Sequence, residues 1–126
     1  MVVQGAVEMK TSELTGNKLC YAVCMIEMPH LLWGKTIGLH EHSNQVIVPE
    51  LVEPDCYSPF MGWALVGPII EREGIQLHVN EASTEWLASR WGYPKQQYGT
   101  TPLIAAMRCY VASKLGDEVN IPEELK

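Results

Sequence analysis

The sequence predicts one small α+β domain, an antiparallel β-hairpin or sheet with an N-terminal and a C-terminal helix packed on it in a sandwich-like arrangement. Three observations carry that prediction. Thr101 to Gly116 spells a helix with both ends marked. The Thr101 side chain can accept from an orphaned N–H of the first turn, Pro102 stands where no N–H is missed, and Gly116 can take a left-handed stop. Next, Ile75, Leu77 and Val79 alternate with Gln76, His78 and Asn80, the period-two pattern of a strand with one wet face. Finally, Thr15 to Met28 reads as another helix, with Thr15 as cap, Leu14 and Leu19 as the members of a hydrophobic staple, and Pro29 as its stop.

Taken in chain order, Met1 to Lys10 opens with β-branched residues and predicts a short edge strand. The N-terminal helix follows, its buried stripe formed by Leu19, Ala22, Val23 and Ile26. Thr36 to His42 and Gln45 to Val48 lean toward β-structure around Ser43-Asn44, which suits a two-residue hairpin turn. Pro49 to Asp55 is a proline-marked surface loop. Ser58-Pro59 repeats the cap-plus-proline opening for a short helix to about Val66. Gly67-Pro68 should interrupt it, because a proline ring meets the carbonyl four residues back, and a further turn from Pro68 to Glu73 should stop at Gly74. After the strand at 75–80, Glu81 to Ser83 forms a turn. Thr84 to Trp91 is the partner strand, with Trp86, Ala88 and Arg90 on one face and Leu87, Ser89 and Trp91 on the other. Gly92 to Thr100 reads as an aromatic loop into the last helix, whose stripe is Ile104, Met107, Val111 and Leu115. Burying those four side chains contributes on the order of 6–12 kcal/mol before entropy is subtracted. The tail from Ile121 to Leu125 is expected to make one further turn.

Size and charge narrow the function classes. A 126-residue chain fits one domain that buries roughly two-thirds of its unfolded surface without metal or disulfide help. The net charge of −6, with only 9 Lys and Arg, argues against wrapping a nucleic-acid backbone, which needs cations to replace counterions along the phosphates. It leaves room for a small basic pocket or for an acidic face that meets a basic partner. There is no signal-peptide pattern and no apolar run long enough for a bilayer, so the expectation is a cytoplasmic location without membrane attachment. Cys20, Cys24, Cys56 and Cys109 lack secreted-type spacing and read as buried thiols.

The catalytic signals are weak beside their packing alternatives. His40-Glu41-His42 offers two imidazoles on one strand face, but two ligands do not make a site, so no metal and no cofactor are expected. Cys20 and Cys24 share a helix face at core spacing. Cys109 sits in the last helix without a strained turn to present it. Glu71, Glu73, Glu81 and Glu85 read as a solvated acidic face. The phosphate-loop, dinucleotide, nucleophile-elbow and zinc-protease motifs are all absent, and the chain is expected not to be an enzyme. The aromatic residues carry more information. Trp63, Trp86, Trp91, Tyr93 and Tyr98 occur near Arg72, Arg90 and Arg108, supplying faces for stacking and planar forks for oxyanions. The alternative is that Trp63 and Trp86 simply fill the core.

The phrase Gly67-Pro68-Ile69-Ile70-Glu71-Arg72-Glu73-Gly74-Ile75 and the last helix carry a family resemblance. With Met9-Lys10-Thr11-Ser12-Glu13-Leu14-Thr15-Gly16 and Tyr57-Ser58-Pro59, they resemble the NinX-like proteins of lambdoid bacteriophages, small phage accessory proteins. The resemblance covers most of the chain and is strongest over 67–75 and 100–125. The element order is also similar to small phage domains of the α-β-α sandwich type. The resemblance implies a phage or prophage product acting in the host cytoplasm, and it transfers no catalytic residue. Phe60-Met61-Gly62 before Trp63 departs from the small polar residue usual there in the family.

The preferred functional expectation is a non-catalytic phage accessory protein with a recess for a small nucleotide-like ligand, a sponge that counters a host defence signal. Its ligand-binding residues would be Tyr57, Ser58, Trp63, Arg72, Trp91, Tyr93, Thr100 and Arg108. The alternative is an acidic inhibitor or adaptor that binds a host or phage DNA-processing enzyme. The aromatic content also allows a homodimer.

Overall fold

In a computed structural model the described residues are 6–27, 38–39, 46–47, 63–82 and 84–122. The central element is α3 (Pro102–Leu115). Its start follows the sequence: the Thr101 hydroxyl accepts from the Ile104 N–H at 3.1 Å, and Pro102 opens the first turn. At the other end Gly116 adopts φ +94°, a backbone region that only glycine enters without strain. Its N–H still reaches the Ala112 carbonyl at 3.0 Å.

The predicted stripe on α3 is too narrow. Met107 and Val111 are fully buried, but so are Ala105, Ala106 and Cys109, with Tyr110 and Ala112 close to it, whereas Leu115 is 46% exposed. The reason is tertiary. A three-stranded sheet lies against α3, while α1 (Gly16–Glu27), α2 (Trp63–Glu73), the single turn Thr11–Glu13 and the strand Glu118–Pro122 pack around it. The helix is therefore a core rod, and its many small residues allow close approach from several directions.

The sheet has order β4-β5-β6, with β4 (Ile75–Asn80), β5 (Glu85–Arg90) and β6 (Tyr93–Gly99) all antiparallel. The predicted hairpin is its first half. Leu77 lies opposite Ala88 and Ile75 opposite Arg90, so Ile75, Leu77, Trp86 and Ala88 share the face toward α3. The segment expected as an aromatic loop is instead β6, a correction with a local cause. Gly92, at φ +84°, closes a two-residue turn that pairs Arg90 with Tyr93 and sends the chain back along β5. Pro94 disguises the strand. It sits on an edge strand, where the register shifts between Ala88 and Arg90, and there a missing N–H costs no central ladder bond. Where β6 ends, Gly99 runs so close to α3 that a Cβ on it would lie 2.6 Å from the Ala105 nitrogen.

Two further expectations are corrected. α2 is continuous through Pro68. The proline ring is exposed, while Val66 and Ile69 on either side are buried, so packing of that face outweighs the lost intrahelical bond. The tail does not make a helical turn: β7 (Glu118–Pro122) pairs along its whole length with β1 (Ala6–Lys10), Met9 opposite Val119 and Glu8 opposite Asn120. Thr11 seals this junction. It is fully buried, its N–H donates to the Asp117 carbonyl and its hydroxyl to the Gly116 carbonyl, both at 2.7 Å.

α1 carries its staple as expected, with Leu14 and Leu19 both buried and the Thr15 carbonyl accepting from Lys18 and Leu19. A two-residue pair, β2 (Gly38–Leu39) with β3 (Val46–Ile47), lies in the expected hairpin region. Pro29, the histidines at 40 and 42, the turn at 43–44, Cys56, Tyr57 and Ser58 lie outside the described residues, as does the tail beyond Pro122. No helix among the described residues is long and apolar enough to cross a membrane.

Candidate functional site

Four elements finish at one end of the molecule and bring their polar side chains together there. α1 ends in Glu27, α2 in Arg72-Glu73 and β5 in Arg90, while the last turns of α3 supply Tyr110 and Lys114. Arg72 and Lys114 stand in the final turns of their helices, where a cation meets the negative end of the helix dipole.

Glu73 is the hub. Its side chain is only 9% exposed and accepts from Arg72 Nε at 2.9 Å, Arg90 Nη2 at 2.8 Å and Lys114 Nζ at 3.2 Å. The Arg72 hydrogen bond leads these contacts in holding the Glu73 carboxyl down, against the cost of its burial, to a pKa of about 2. Arg72 then bridges to the second carboxylate, its Nη2 lying 2.7 Å from Glu27 Oε2 and its Nη1 3.4 Å from Oε1. The same Nη2 lies 3.1 Å from the Tyr110 hydroxyl, which donates to Glu27. Burial pushes the Glu27 carboxyl up, but the bonds from Arg72 and Tyr110 outweigh it and the net shift is downward. Burial and the Glu27 hydrogen bond raise the Tyr110 phenol far above its ordinary range. The Arg72 and Lys114 charges also lie 5.9 and 6.0 Å from the Tyr110 ring centre, within cation–π reach. The cluster thus gathers three cations and two carboxylates. Arg90 Nε is buried there without a hydrogen-bond partner.

Beyond Arg90 the chain turns outward, and Trp91 at the tip of the β5–β6 turn is 88% exposed. Tyr93 folds back and packs on the core. Burial, with Asp117 close by, raises its hydroxyl. Lys95 pairs with Asp117, tying this hairpin to the start of β7. Because Arg90 and Lys114 share Glu73, Trp91 projects at the same end of the molecule as the exposed Leu115.

Of the residues expected to bind a ligand, the structure brings Arg72, Trp91 and Tyr93 to this end. Trp63 opens α2, about 14 Å along the helix from Arg72, and is 54% exposed; it does not fill the core, whereas Trp86 does pack against it. Thr100 is exposed before the cap of α3. Arg108 lies midway along that helix and spends its donors internally, Nε on the Leu14 carbonyl at 2.8 Å and Nη1 on the Tyr98 carbonyl at 2.7 Å. Glu27, Tyr110 and Lys114 escaped the sequence reading because no local pattern joins them. Glu73, expected on a solvated face, is the buried hub instead. The one local signal was a basic residue in the last turn of α2 and of α3.

The cluster can hold four elements in register and can present a rigid aromatic tip. Nucleophilic chemistry has little support nearby: burial pushes the Cys109 thiol up to about 11, far from a reactive thiolate at neutral pH. Among the described residues no three His, Cys, Asp or Glu side chains are grouped to hold a metal.

The family described as Bacteriophage P22, NinX matches residues 10–114, well over half of the chain, and the protein belongs to that family. No curated protein matches it.

Proposed function

We propose that this member of the phage NinX family is a non-catalytic accessory protein that works by docking onto a host or phage protein. One observation carries the reading. Trp91 is almost wholly exposed on a two-residue turn, and the strand beneath that turn is pinned by the Arg90–Glu73 ion pair. An indole held out on a braced hairpin costs little entropy to bury, and tryptophan is enriched among the residues that dominate protein interfaces. The net charge of −6 adds long-range attraction for a basic partner.

The nucleotide-sponge reading draws less support from the same geometry. Each of the three Arg72 nitrogens already donates to Glu27, Glu73 or Tyr110, so a phosphate there would have to displace a carboxylate. Trp63, Thr100 and Arg108 stand away from Trp91.

Affinity capture from phage-infected host cells tests the proposal, with the full chain and its Trp91→Ala variant as baits. The expected result is one protein retained by the parent, reduced by at least about tenfold with the variant and weakened as salt is raised. Equal capture by both baits overturns the proposal. So does calorimetry in which a nucleotide binds the free chain tighter than about millimolar.

A further inference from the structure

Among the described residues, the two-stranded ribbon formed by β1 and β7 has an open side. β1 occupies one edge of β7 along its whole length, and among the described residues no strand or turn takes up the backbone on the other edge. A groove of about 310 Å³ runs along that edge. It is lined by Tyr21, Ala22 and Met25 of α1, by Leu115, and by β7 from Glu118 to Ile121. Successive strand residues point to opposite faces, so a groove lined by four in a row follows the strand's edge and not one of its faces. Such an edge is a template for an added strand.

We propose that this edge of β7 accepts an extended, basic segment of the partner protein as an added strand. The reading of the chain as a partner-binding protein underlies the proposal. Backbone pairing with β7 would supply the register, and apolar side chains from alternate positions would enter between Met25 and Leu115. The charge preference comes from the wet face of the ribbon. Glu8 and Glu118 lie diagonally on that face, two residues apart along the pairing, with Lys10 opposite Glu118 as the single cation. A side-chain hydrogen bond with Glu118, and then the repulsion between the two charges, raise the Glu8 carboxyl above its ordinary range, as happens when two carboxyl groups are held together. A lysine or arginine on the incoming strand relieves that repulsion, and an acidic one adds to it.

The test uses the full chain and a blocked peptide of about seven residues alternating valine and lysine. Companion peptides place glutamate at the lysine positions or N-methylate alternate amides. The valine–lysine peptide should bind and slow at least tenfold the exchange of those amides between Glu118 and Ile121 that do not already pair with β1. The N-methylated peptide should not bind, and Glu118→Lys, at an exposed position, should weaken binding at least tenfold. The proposal is overturned by equal binding of the N-methylated or acidic peptide, or by full protection of these amides in the free chain. It is equally overturned by light scattering that shows a dimer whose formation protects them. The two readings fail separately. Absent peptide binding with Trp91-dependent capture intact removes the edge site alone, and peptide binding without Trp91-dependent capture removes the hairpin reading and leaves the edge site standing.

Discussion

Replacing Glu73 by glutamine removes the charge that three cations share while keeping the shape of the side chain. The size of the effect follows from the carboxyl's pKa, held at about 2 against an ordinary 4.5. At about 1.4 kcal/mol per unit, the full difference is about 3.5 kcal/mol. Arg72 and Lys114 are 51% and 38% exposed and their share is screened by solvent, so the expected loss at neutral pH is about 2 kcal/mol. The pH dependence follows from the direction of the shift. A carboxyl whose pKa is lowered on folding contributes its full stability above the unfolded value near 4.5, and that contribution drains away as pH falls toward about 2. Urea unfolding followed by circular dichroism, run on parent and Glu73→Gln from neutral pH down to about 2.5, reads both quantities. The two proteins should differ by about 2 kcal/mol at neutral pH and converge in acid. A neutral-pH difference under about 0.5 kcal/mol, or one that does not shrink with acid, refutes the hub role of Glu73.

Thr101→Ala removes the oxygen that accepts from Ile104 and should cost about 1 kcal/mol, read as a lower urea midpoint with an unchanged slope. Gly99→Ala places a methyl against the backbone of α3. It should cost about 1–3 kcal/mol, whereas the same change at Gly67, where a Cβ meets nothing within 4 Å, should raise stability through helix propensity.

Much of the fold was legible because its signals are local. A hydroxyl followed by proline marks a helix start within four residues, and alternation marks a strand within six, so α3, β4 and β5 were read close to their true bounds. The failures share a different physics. Pro94 reads as a breaker in sequence but is harmless on an edge strand at a register shift. Pro68 reads as a stop, but the buried Val66 and Ile69 hold α2 together across it. For the candidate site, residue type alone points to Arg72, Trp91 and Tyr93, but as ligand contacts; the ion pairs of Arg72 and the core packing of Tyr93 depend on partners far along the chain. Tyr57 and Ser58 lie outside the described residues.

The caps of α3, the staple of α1 and the two faces of the central hairpin are written into local stretches of the chain, because each depends on neighbours a few bonds away. The packed fold alone brings β1 beside β7 and gathers Glu27, Arg72, Glu73, Arg90, Tyr110 and Lys114 in one cluster. Strand partners and ion pairs far apart in the chain are selected by which surfaces the core brings together, and the alternation or charge of one segment does not encode the identity of the other.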